Sequence, residues 1–162
     1  MTTGLDTFDT TIQESNLWLK DLMERLGTYD RHRAYSTLRA VLHVLRDRIG
    51  PDNAAHLGAQ LPMLIRGLYY EGWHPSGKPT KERHDAQFLA RLRELLPSAD
   101  EAELKAGVHA VFDLLSKKID RGEAVGSENA LPRFDDQPAD HDHAADDVDA
   151  VQPRHGEVDA EE

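Results

Sequence analysis

The chain has 162 residues, 39% of them hydrophobic and 30% charged, with a formal net charge of −11 and no cysteine. That length suits one domain whose core can stand without metal or disulfide support, and the lack of thiols excludes disulfides, thiolate metal sites and cysteine nucleophiles. No stretch approaches the roughly 18 consecutive apolar residues of a membrane span, and the start, MTTGLDTFDTT, has neither a basic nor an apolar targeting region, so a soluble cytoplasmic protein is expected.

The charge is unevenly placed. Eleven acidic residues and one basic residue fall between Asp135 and the end, leaving the first 134 residues almost neutral. A neutral domain with an acidic tail lacks the concentrated basic face that nucleic-acid binding requires.

In chain order, apolar residues at spacings of three and four predict a first helix over about 7–26, with Phe8, Ile12, Leu19, Leu22, Met23 and Leu26 on its buried face. Gly27 suits a left-handed stop. Asp30 suits the N-cap of a second helix, which runs to Ile49 and buries Ala34, Leu38, Val41, Leu42, Leu45 and Ile49. Gly50-Pro51 breaks that helix. Asp52 is expected to cap a short third one through Ala54, Ala55, Leu57 and Ala59, and Leu61-Pro62 to restart the chain as a fourth helix with Leu64, Ile65, Leu68 and Tyr69 inward, stopping at Gly72.

WHPSGKPT, residues 73–80, reads as a rigid connector. A fifth helix is expected from about Thr80, burying Phe88, Leu89, Leu92, Leu95 and Leu96 up to Pro97. Ser98 and Glu101 form a predicted capping box for a sixth, which buries Leu104, Val108, Val111, Phe112, Leu115 and Ile119 and closes at Gly122. A last short helix is expected over 123–130, before Leu131-Pro132. Residues 135–162, poor in apolar side chains and dense in like charge, are expected to be a disordered acidic tail.

LRAVLHVLRDRI (38–49) aligns with LKAGVHAVFDLL (104–115), pairing Leu38 with Leu104, His43 with His109 and Asp47 with Asp113. Each copy is followed by a Leu-Pro. The expected fold is therefore all-α, a bundle of six to seven helices built from two similar units, 7–72 and 80–134, joined by the 73–80 connector and packed through their apolar faces.

Three constellations could carry chemistry. Arg39, His43 and Asp47, echoed by Lys105, His109 and Asp113, place a base, an imidazole and a carboxylate at i, i+4 and i+8. Such stripes are polarised histidines facing across a cleft or a surface ion-pair ladder; with no nucleophile or third metal ligand beside them, the ladder is favoured, and both imidazoles should point outward and titrate near the usual value of about 6.5. Arg66, Tyr69, Tyr70, Glu71, Trp73 and His74 are the densest group of ligand-capable side chains, suited to a small-molecule pocket or an interface, with core closure by Tyr69 and Trp73 the competing reading. In the tail, His141 and His143 stand among carboxylates, but without a scaffold the ordering cost falls on metal binding, so a solubilising or interaction tail is favoured. There is no phosphate loop, HExxH, GxSxG or nucleotide fingerprint, and no cofactor is expected.

At LRAVLHVLRDRIG, AAHLGAQLPMLIRGLYYEGW and LPRF the sequence resembles the bacterial family catalogued as domain of unknown function 2267, over roughly residues 8–134, with AQLPMLIRGLYYEGW the most specific run. The resemblance implies an all-helical prokaryotic cytoplasmic protein and transfers no activity or catalytic residue. The family pattern commonly continues past the last Leu-Pro with a longer Leu-Trp ending, whereas here acid follows Phe134. The sequence thus points to a non-enzymatic module that binds a protein partner or self-associates, in a stress or regulatory setting; the alternative is a small-ligand binder or enzyme using Arg66, Tyr70 and the two histidines.

Overall fold

The computed structural model describes residues 2–80 and 84–119, which form six helices and no strand: α1 (Asp6–Leu26), α2 (Arg31–Ile49), α3 (Pro51–Ala59), α4 (Met63–Tyr70), α5 (Asp85–Leu95) and α6 (Glu101–Lys118). The expected stop at Gly122, the helix over 123–130, the second Leu-Pro and the acidic tail with His141 and His143 lie outside the described residues.

α2 is the axis, packing against every other helix. Its sequence allows this because apolar or small residues occupy more than one face. Ala34, Leu38, Ala40, Val41, Leu42, Leu45 and Ile49 are all buried, and each large aliphatic among them contributes about 1.5–3 kcal/mol. Asp30 caps its start by accepting from the Arg33 amide at 3.1 Å. Small residues let α6 approach closely, and a Cβ on Gly107 would lie 2.9 Å from the Thr37 methyl. On its other flanks, Arg48 lies over the Phe88 ring at 5.7 Å and pairs with Asp85, fixing α5.

The helix stops follow their local chemistry. Gly27 takes the left-handed conformation at φ 60°, and Gly50, at φ 83°, turns the chain into Pro51 at the first position of α3. Asp52 therefore sits within the first turn of α3 and is not its N-cap. Leu61-Pro62 does separate two helices, with Pro62 just before α4. Two expected starts shift. α5 begins at Asp85 rather than Thr80, whose amide instead donates to the Asp47 carbonyl at 3.0 Å, and α6 is capped by the Asp100–Glu103 pair rather than Ser98–Glu101. At α6 an acceptor two residues further along, the Asp100 carboxylate, takes the Glu103 amide at 2.8 Å, a choice that spacing alone does not reveal.

The inward face of α1 is also rotated from the expected one. Thr11, Ser15, Trp18 and Leu22 are buried, whereas Phe8 is 49% and Ile12 39% exposed. The hydroxyl of Thr11 is turned in because it accepts from the backbone amide of Leu64, at 3.0 Å, in the first turn of α4. Leu64 and Leu95 are likewise exposed rather than buried, as are Ala55 and Ala59, and Phe112 is half-buried, edge-on to Phe88 at 6.3 Å.

The two aligned stripes have unlike surroundings. On α2, Asp47 is held by Arg46 and Lys78; on α6, Asp113 binds Arg25 of α1 at 2.7 Å and Lys105 pairs with Glu101.

Gly58 gives a direct check on packing between α3 and α4. A Cβ there would overlap the Tyr70 hydroxyl and come within 2.7 Å of its Cζ and 2.9 Å of its Cε2. Alanine normally stabilises a helix interior by about 1 kcal/mol over glycine, but here overpacking, at about 1–3 kcal/mol, opposes it. Gly58→Ala is expected to lower the urea midpoint, and an unchanged or raised midpoint would contradict this packing.

Candidate functional site

The sequence-derived cluster around 66–74 and the α2 stripe meet at the C-terminal end of α4. That end leaves carbonyls without intrahelical partners and carries the negative pole of the helix dipole. α2 supplies the donors. His43 Nε2 lies 2.8 Å from the Leu68 carbonyl, so it carries the proton, and Arg46 Nη1 donates to the carbonyls of Tyr69 at 2.5 Å and Glu71 at 3.1 Å. The Arg46 charge, 4% exposed, is balanced by Asp47 at 3.0 Å from Nε; Asp47 in turn takes Lys78 at 3.0 Å. Arg39 bonds Glu71 at 2.8 Å and holds its carboxyl below the usual range.

His43 is consequently not on an exposed ladder. At 8% exposure it faces α4, because α2 is covered on this side as well as on its apolar one. Burial pushes its imidazole below the ordinary value; the bond to Leu68 opposes that shift, while Arg46 and Arg39 add to it. His109 is exposed on α6. The expectation that both point outward fails for His43 and holds for His109.

The aromatics are spent internally as well. Tyr69, fully buried, donates to the Ala54 carbonyl at 3.0 Å, and burial raises its hydroxyl well above the usual value. Tyr70 reaches the same carbonyl at 3.4 Å and packs edge-on against Tyr69 at 4.9 Å, with Trp73 on its other side at 5.3 Å. Trp73 is half-buried, and its indole N–H has no acceptor among the described residues. Arg66 is exposed.

Arg66, Tyr70, His43 and His109 do not converge. His43 lines a cavity of about 190 Å³ between α2 and α5, Arg66 a separate cleft beside α1, and neither Tyr70 nor His109 borders either. No group of three or more histidine and carboxylate side chains among the described residues could hold a metal, and none of their helices is long and apolar enough to cross a membrane.

What the sequence reading missed is an apolar groove between α1, α2 and α4, with a volume of about 710 Å³. Its walls are Phe8, Ile12 and Leu19 on α1, Tyr35 on α2, and Leu64 and Leu68 on α4. Several polar side chains near it are already engaged: Thr11 accepts from Leu64, Ser15 donates to the Thr11 carbonyl at 2.7 Å, Thr3 bonds Asp9 and Glu71 accepts from Arg39, while the exposed Tyr35 adds a phenol hydroxyl to the wall. The usable signal was the pair of exposed-face apolars on α4, Met63 and Leu64, directly after Pro62. Arg46 was also missed, although it stands four residues after Leu42 and three before Ile49, on the buried side of α2.

Two outcomes follow for the α2–α4 junction. Arg46→Met should cost about 2–3 kcal/mol in urea unfolding by stranding the Tyr69 and Glu71 carbonyls, and a loss below about 0.5 kcal/mol would contradict the role given to it. For His43, the folded-state pKa is depressed, so between its folded value and the unfolded value of about 6.5 the unfolded chain binds more protons. Stability should therefore fall as pH drops from 7.5 toward 5.5. His43→Gln, which keeps a donor for Leu68, should flatten that dependence; equal slopes for both proteins would refute it.

No curated protein matches the chain. A family model described as "Uncharacterized conserved protein (DUF2267)" matches residues 15–136, a span that contains most of α1, all of α2 to α6 and the α2–α4 junction. The chain belongs to the DUF2267 family.

Proposed function

We propose that the protein is a non-enzymatic interaction module that seats an amphipathic helix of a partner protein in the groove between α1, α2 and α4. The observation that carries this reading is the groove itself: an apolar trough of about 710 Å³ in which Phe8 and Leu64 are about half exposed. Contiguous apolar surface of this kind is uncommon on a monomer without a partner.

The chemistry of the lining favours a helix over a small molecule. Small-ligand pockets place a few polar groups to orient their guest, but here the hydroxyls of Thr3, Thr11 and Ser15 are bonded within the protein. Apolar side chains from the walls on α1, α2 and α4 instead suit the i, i+3, i+4, i+7 stripe of a docking helix. The non-enzymatic part of the reading is supported by what the reactive side chains do. His43, Arg46 and Tyr69 each hold a backbone carbonyl, and the remaining candidates are dispersed.

Phe8→Glu/Leu64→Glu tests the proposal. Both side chains are half exposed, so thermal unfolding should change little, while affinity for a partner captured by the wild-type chain should fall by about 30-fold or more, the loss of a central apolar contact. Retention of the partner by the double variant would overturn the assignment. Light scattering on both proteins separates the second-copy case: self-association abolished by the same pair would make the occupant another molecule of this chain.

A further inference from the structure

On the opposite flank of α1 lies a second cleft, of about 780 Å³, between the first half of α1 and the α3–α4 junction. Its floor is Trp18 and Leu61, both buried, and its rim carries Leu17 and Met63, 55% and 41% exposed. We propose that the chain's own residues 120–134, which follow α6, occupy this cleft, with Leu131 and Phe134 covering Leu17 and Met63.

Four observations lead there. The chain is delivered to the cleft: Lys118, in the last turn of α6, lines it and is tied to Asp21 of α1 at 2.7 Å, and Ile119 after it is buried. The cleft has an unmet donor, since the Gln60 side-chain nitrogen is buried there with no acceptor among the described residues, and a passing backbone carbonyl would satisfy it. The segment has matching content: Leu131 is the only leucine and Phe134 the only aromatic residue after Ile119, and its charges are mixed like those of the cleft, with Asp120, Glu123 and Glu128 available to Arg66 and with Arg121 and Arg133 available to Asp6 and Glu14. Finally, the family match continues past α6 to residue 136 and stops where the acidic run begins, so the matched span includes this segment and leaves out nearly all of the tail. Length is no obstacle, because the 12 residues from Ile119 to Leu131 can span up to about 40 Å.

The absence of native cysteine makes the test clean. In the full chain, Leu17→Cys/Leu131→Cys is treated with a short bismaleimide, beside Leu17→Cys/Val148→Cys and Tyr29→Cys/Leu131→Cys; Tyr29 is 99% exposed at the α1–α2 turn. Docking predicts intramolecular crosslinking of the first pair at least about tenfold faster than the other two, because the seated segment raises the effective concentration of the thiols. Equal rates for the three pairs, or products that are only intermolecular, would overturn the proposal. A second measurement needs no crosslink. Leu131→Ser/Phe134→Ser should raise the labelling rate of a Cys at 17 several-fold, whereas ending the chain after Phe134 should leave both that rate and the thermal midpoint unchanged; the reverse pattern would count against docking. Neither readout touches Phe8 or Leu64, so the groove assignment and this one can fail separately.

Discussion

A helix of eight residues forms few internal hydrogen bonds and leaves four amides and four carbonyls at its ends, so by itself α4 would not persist in water. It is held at both ends by other helices. Thr11 of α1 accepts from its first turn, and His43 and Arg46 of α2 donate to its last carbonyls. The rest of the molecule depends on this clamp. α4 seats Tyr69 over α3, forms one wall of the apolar groove and borders the cleft beside Lys118. Loosening either end would release all three.

The clamp also explains why a guanidinium is buried in a near-neutral domain. Arg46 gains a carboxylate from its own neighbour and two carbonyls at the negative end of a helix dipole, so its desolvation is offset by fixed partners on each side. Lys78 from the connector completes the network through Asp47, and the Thr80 amide bonds the Asp47 carbonyl. The connector is thus fastened to the same turn of α2 that fastens α4. A single helical turn, Arg46-Asp47, organises the passage from the first four helices to the last two.

Using reactive side chains for such work bears on function. An imidazole and a guanidinium committed to backbone carbonyls have little freedom for proton transfer or ligand capture, whereas the apolar flanks of α1 have no covering element among the described residues. The two flanks differ in chemistry. One is an apolar groove in which the hydroxyls of Thr3, Thr11 and Ser15 are already bonded, and the other is a mixed cleft with an unsatisfied amide beside the exit of α6. That contrast separates a surface suited to another protein from one suited to the chain itself.

By itself the sequence determined the all-helical class, the apolar face of α2, the stops at Gly27 and Gly50 and the break at Leu61-Pro62, because each follows from side-chain periodicity or local backbone chemistry within a few residues. The family, too, was legible in the run through residues 59–73. Only the tertiary structure decided which way α1 faces, since the demand for the Thr11 hydroxyl comes from an amide 53 residues away. It also decided the fate of His43. The spacing of Arg39, His43 and Asp47 suits a solvent-facing stripe, and whether such a stripe meets water or the end of another helix depends on where α4 is packed, a non-local fact that periodicity along one helix cannot encode.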